Sequence, residues 1–68
     1  MPFDYSNLWK ILEGREMLKE DLRVQTGISS ATLAKLGKNK AVSMTVLAKI
    51  CKVLKCDIGD IVSYVEGE

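Results

Sequence analysis

Three glycines, Gly14, Gly27 and Gly37, fall where short apolar periodicities stop. The residue just past a helix often turns left-handed, which glycine does cheaply, so this punctuation predicts three helix ends in the first half of the chain. Pro2 is the only proline and stands at the terminus, where it interrupts nothing. No segment alternates with period two convincingly over a strand length. The fold class expected is all-α, built from five short helices.

The first helix is expected over residues 6–13, with Leu8, Ile11 and Leu12 as its inner face and Trp9 or Tyr5 flanking them. The second is expected at about residues 19–26. Ser29 or Ser30 can cap a third, whose Leu33 and Leu36 face inward and leave Ser30, Ala31, Thr32 and Lys35 outside. A fourth starts near Ser43 and repeats Leu47, Ile50, Cys51 and Leu54 at the spacing of a core stripe, with Lys49, Lys52 and Lys55 on its wet side. Asp57 caps a fifth, carrying Ile58, Ile61 and Val62, and Asp60 places negative charge near its N-terminus. The β-branched run at 61–65 fits an edge strand as well, but is assigned to helix.

At 68 residues the chain is expected to be a single domain over 1–68, with one core burying roughly 60% of its unfolded surface. No second, ligand-sensing domain is expected. No Lys or Arg precedes Lys10 and the longest apolar run is 46–48, so no secretory signal or membrane span is expected and a cytoplasmic location is. Cys51 and Cys56 with no histidine cannot complete a tetrahedral zinc site, so neither metal nor cofactor is expected. Cys51 reads as a small core hydrophobe.

Charge is distributed unevenly. The formal net charge is +1, yet between Asp21 and Asp57 there is no acidic residue and there are seven basic ones: Arg23, Lys35, Lys38, Lys40, Lys49, Lys52 and Lys55. A polyanion is the partner such a middle suits. Inside it, Leu22, Gly27, Ile28 and Leu33 meet the needs of two helices joined by a tight turn, with an apolar anchor holding the second. That turn leaves Ser29, Ser30, Ala31 and Thr32 at the tip. Their hydroxyls can reach base edges, and Ala31 or the Thr32 methyl can touch a thymine methyl.

These residues, with Ala34-Lys35-Leu36-Gly37-Lys38-Asn39, Lys49-Ile50-Cys51-Lys52 and Cys56-Asp57-Ile58-Gly59-Asp60-Ile61, carry a resemblance. The chain resembles, over nearly its whole length, the Cro-like and lambda-repressor-like (XRE-type) helix-turn-helix family, and within it a compact subgroup of small regulators of Gram-positive bacteria. The resemblance implies a five-helix domain whose third helix reads double-stranded DNA. It implies base readout by Ser29, Ser30, Ala31, Thr32 and Lys35. It also implies phosphate contacts from Lys19 at the start of the second helix, from Arg23, and from the loop Lys38, Asn39 and Lys40. Contacts of that kind fix register and supply salt-dependent affinity.

Two positions depart from the family pattern. Leu18 stands where a Ser or Thr usually caps the second helix, removing a cap worth about 1 kcal/mol. Arg23 replaces a small residue, so its stem must lie along the surface with its guanidinium in solvent or on a phosphate. Glutamines common in phage repressors are missing from the reading face, so no operator sequence follows.

The function expected is a sequence-specific transcriptional regulator acting as a repressor, homodimeric on DNA through Ile61, Val62, Tyr64 and Val65. A second reading stays open: a protein-interaction module such as an antitoxin or anti-repressor, with the acidic end Val65-Glu66-Gly67-Glu68 as a partner's handle. RNA binding is disfavoured because no row of stacking aromatics is present. Catalysis is not expected, since there is no histidine, no Gly-rich phosphate loop and no base beside the C-terminal carboxylates.

Overall fold

Apolar side chains from all five helices and the turn at Ile28 meet at one centre. The computed structural model describes residues 2–66. In order the elements are β1 (Phe3–Asp4), α1 (Ser6–Gly14), α2 (Lys19–Thr26), α3 (Ser30–Gly37), α4 (Met44–Leu54), α5 (Ile58–Ile61) and β2 (Ser63–Tyr64). Tyr5, Leu8, Leu12, Leu22, Ile28, Leu36, Leu47, Ile50, Leu54 and Ile61 form the buried core. Each such side chain contributes about 1.5–3 kcal/mol on burial. Helix α4 is the central post: α2 packs against it, and so does α5, which in turn packs against α1.

Side-chain caps set where several helices begin. The Ser29 hydroxyl accepts from the Thr32 N–H at 3.1 Å, and the Ser43 hydroxyl accepts from the Val46 N–H at 3.2 Å. At α5, the Asp57 carboxylate accepts from the Ile58 N–H at 2.9 Å while Asp60 accepts from the Asp57 N–H at 2.8 Å. Leu18, as its residue type dictates, provides no side-chain cap to α2. The Asp21 carboxylate partly replaces it by accepting the Leu18 N–H at 3.0 Å.

Helix ends follow a different rule from the one glycine suggests. Of these three glycines only Gly27 is left-handed, at φ 76°, whereas Gly14 and Gly37 are the last residues of their helices. The left-handed steps beyond them fall on Glu16 (φ 54°) and Asn39 (φ 56°), and α4 turns on Lys55 (φ 55°). Backbone bonds hold that last turn: the N–H groups of Lys55 and Cys56 both reach the Cys51 carbonyl. The Arg15 guanidinium donates to the Leu54 carbonyl at 2.7 Å. These bonds offset the strain of a non-glycine residue there.

The tail departs from the helical assignment. Helix α5 stops at Ile61, Val62 is extended, and Ser63–Tyr64 pairs antiparallel with Phe3–Asp4 in the register Phe3 to Tyr64 and Asp4 to Ser63. The β-branched run disfavours helix, and an extended partner is in reach at the other end of the chain. Ile61 is fully buried, so it belongs to its own core and cannot line a subunit contact. On α3, Leu36 is buried as expected and Leu33 only half-buried. Gly67 and Glu68, part of the acidic end, lie outside the described residues.

Candidate nucleic-acid interface

The turn between α2 and α3 is built from four consecutive residues with distinct tasks. Thr26 is buried and its hydroxyl donates to the Leu22 carbonyl at 2.7 Å. Gly27 supplies the left-handed step and returns its N–H to the Arg23 carbonyl at 2.9 Å. Ile28 plugs into the core with 4% of its surface exposed. Ser29 then caps α3. A side chain at Gly27 would meet nothing within 4 Å, so glycine is needed there for its backbone angle and not for space.

Helix α3 therefore leaves the core with one open face. Ser30, Ala31, Ala34, Lys35 and Lys38 are all exposed, at the spacing of a single helical face. Its side chains are short at the N-terminal end and cationic at the other. No carboxylate occurs on α3 or in the loop that follows. Ala34 was not among the residues expected on this face, although its place four residues after Ser30 signals it.

Ser29 and Thr32 are placed differently from the rest of the expected readers. The Ser29 hydroxyl donates to the Thr32 hydroxyl at 3.0 Å while accepting the Thr32 N–H, so the two satisfy each other. Thr32 is also half-buried. Ser30, by contrast, has a hydroxyl free of protein partners among the described residues.

Two basic segments bracket this face in the chain. On the first, Lys19 is the opening residue of α2, with its ammonium 4.4 Å from the centroid of the Trp9 ring. One turn further on, Arg23 is paired with Glu20, its Nε donating to both carboxylate oxygens at 3.0 and 3.1 Å. Those hydrogen bonds hold the Glu20 carboxyl below its usual range and raise the Arg23 guanidinium further.

The second flank is the loop after α3. Asn39 takes the left-handed step there, and its side-chain oxygen accepts the Tyr5 N–H at 3.1 Å. The Tyr5 hydroxyl donates to the Lys40 carbonyl at 2.8 Å, and the Lys40 N–H returns to Lys35 at 2.9 Å. Burial pushes the Tyr5 phenol above its ordinary range. Lys38 and Lys40 extend outward from a loop whose backbone is thus held on the core. Tyr5, read from sequence as a rim or core aromatic, sets this loop; its acceptor is a backbone carbonyl, which leaves no sequence signature.

The described residues bring no three potential metal ligands together. None of the described helices is long and apolar enough to cross a membrane. Cys51 and Cys56 are free thiols, half-buried at the end of α4.

Comparison with known proteins gives three concordant findings. Residues 7–67 match the family model of the Cro/C1-type HTH DNA-binding domain. The chain is 39% identical over 64 residues to an uncharacterized HTH-type transcriptional regulator, YozG, of Bacillus subtilis (strain 168), an alignment covering 91% of this chain and 76% of that protein. Its structure is similar to the crystal structure of the transcriptional regulator VanUg, with a TM-score of 0.94 and 48% identity, covering 97% of this chain and 88% of the other. Proteins of this kind act by binding DNA and not by catalysis. With Gly27 turning the chain and an open, carboxylate-free face on α3, the chain belongs to the Cro/C1-type helix-turn-helix family of DNA-binding transcriptional regulators.

Proposed function

We propose that the protein is a sequence-specific repressor that places α3 in the major groove of double-stranded DNA, as a homodimer on two half-sites. The observation that carries this reading is the exposed strip Ser30, Ala31, Ala34 and Lys35, small enough at its tip to let the helix approach base edges. Ser30 and Lys35 donate to bases, and Ala31 and Ala34 pack on thymine methyls. Ser29 and Thr32 shape the helix start and reach DNA only by giving up their mutual bond. Lys19, Arg23, Lys38, Asn39 and Lys40 bind phosphates on either side. Asn39 does so with its amide N–H group, since its oxygen is occupied by Tyr5. Repression requires only that a promoter be occupied, which a module of this size achieves.

Two copies are needed because one small module contacts few base pairs. An apolar groove bounded by Phe3, Val42, Met44, Val62 and Tyr64 supports a face for the second copy. Met44 and Tyr64 are 65% and 73% exposed beside it. Its wall at 41–44 continues from the loop that carries Lys38 and Lys40, so a copy seated there lies along the DNA-facing side. Val62, Tyr64 and Val65 stay in the proposed contact and Met44 joins them, in place of Ile61.

Selection of bound fragments from the host genome, followed by titration with the recovered duplex, tests both parts. The expected outcome is specific binding that weakens steeply with salt, with sequence preference lost in Ser30→Ala and affinity lost generally in Lys38→Ala. Equal affinity for scrambled duplex at every salt concentration would remove the sequence-specific reading. One protein per saturated duplex, by sedimentation, would remove the dimer.

A further inference from the structure

Lys19 is placed where an unassisted lysine has little to hold it. It opens α2, where the positive end of the helix dipole repels an ammonium. The carboxylates that follow it on α2 are committed elsewhere, Glu20 to Arg23 and Asp21 to the Leu18 N–H, and Glu13 and Glu16, which line a groove with it, form no ion pair with it. Among the described residues Lys19 makes no ion pair. Its ammonium nevertheless sits 4.4 Å from the centroid of the Trp9 ring, well inside the range in which the negative face of an indole attracts a cation.

The ring itself is held by the fold. Trp9 is half-buried on α1, packed against the core, and it lines a shallow groove with Leu12, Met17 and Leu18, whose rim also carries Glu13 and Glu16. Its position is set by packing while one face meets the lysine. The attraction is between a charge and a ring quadrupole, so it takes none of the three ammonium N–H donors away from an incoming oxygen.

We infer that Trp9 is a positioning residue for DNA binding, its indole face holding the Lys19 ammonium in place to receive a backbone phosphate. This rests on the proposed reading of Lys19 as a phosphate contact. The ring reduces the side-chain freedom that a lysine would otherwise lose on binding. Trp9 is the only tryptophan, so its emission also reports on the contact.

The test uses a scrambled duplex of about 20 base pairs, roughly two turns, at low salt, because phosphate contacts do not depend on sequence. Trp9→Leu is expected to weaken binding about two- to five-fold, and Trp9→Phe by less, with the slope of affinity against salt unchanged because the charge remains. Lys19→Ala is expected to lower that slope by about 0.9, the loss of one phosphate contact. In the Lys19→Ala protein, Trp9→Leu should then cost nothing further.

Equal loss from Trp9→Leu with and without Lys19 would overturn the inference, because the ring would then be acting on DNA or on the fold directly. Unchanged binding in both ring variants would overturn it too, as would a Lys19→Ala protein with native affinity. Should Trp9→Leu not fold, Trp9→Phe carries the cycle, and the emission change of Trp9 on duplex addition must vanish in Lys19→Ala for the inference to stand. Native protein that binds no duplex at low salt defeats the DNA reading and this inference together. Native binding with silent ring variants defeats the inference alone.

Discussion

The two flanks of α3 are held in opposite ways. The loop carrying Lys38 and Lys40 is fixed through its backbone, by a tyrosine with only 2% of its surface exposed that donates to a carbonyl on one side and has its own N–H taken up by Asn39 on the other. The flank carrying Lys19 and Arg23 is held through side chains at the surface, by the face of a half-buried indole and by the exposed Glu20. Hydrogen bonds partly withdrawn from water are costlier to break than surface ion pairs, which give little and are screened by salt. On the proposed DNA-binding reading, the first flank would set where the protein sits on DNA, and the second would adjust to the local path of the backbone.

The largest test of this contrast is Tyr5→Ala, which removes both the core ring and the link to Lys40. It should cost about 3–5 kcal/mol in urea denaturation, as expected for a buried aromatic. A cost near that of a surface substitution would show that the loop does not depend on the core. Between the flanks lies Gly27, and Gly27→Ala should cost about 1–2 kcal/mol from the left-handed angle alone, since the space around it is open. A loss well above that would point to a shifted α3, visible as changed amide shifts along 30–37.

Tyr5→Phe keeps the ring and deletes one hydrogen bond, for about 1 kcal/mol of stability. Its effect on duplex affinity should exceed its effect on folding, because the freed loop carries Lys38 and Lys40. Equal effects would mean that the loop is held without Tyr5. The smallest effect is expected at Glu20→Gln: stability stays near native while Arg23, released from its partner, binds duplex more tightly at low salt and with a steeper salt slope. Unchanged binding would place Arg23 away from phosphate.

Acid reads the same pair. The folded Glu20 carboxyl titrates below its unfolded value, so whatever the pair contributes is complete above the ordinary glutamate range and is lost as pH falls through the lowered value. A Glu20→Gln protein should lack that component of the acid transition, which comparison of the two urea midpoints across the acid range would detect.

Much of the reading frame of this fold lay in local chemistry. Ser29 or Ser30, Ser43 and Asp57 marked the starts of three helices because a side-chain oxygen next to orphan N–H groups is a local cause with a local effect. The core stripe of α4 was legible for the same reason, its period being written in the chain. What escaped depends on distant partners. Lys55 turns left-handed because Cys51 and Arg15 satisfy the helix end, and nothing in a lysine announces that. Residues 62–64 become extended because Phe3–Asp4, at the far end of the sequence, offers Ser63–Tyr64 a ladder. On α3 the exposed face was legible except for Ala34 and the half-buried Thr32, whereas the engagement of Ser29 with Thr32 and of Asn39 with Tyr5 required coordinates. A hydroxyl or an amide in a sequence does not say whether it is already occupied.

The small ladder between β1 and β2 also has a consequence for synthesis. Within this domain its second strand and Ile61 emerge after all the larger helices, yet the strand closes against Phe3–Asp4. A nascent chain whose residues 61–64 still sit in the ribosomal tunnel lacks both a core residue and its clasp. Competence to bind DNA should therefore arise in one step, once those residues have left the tunnel.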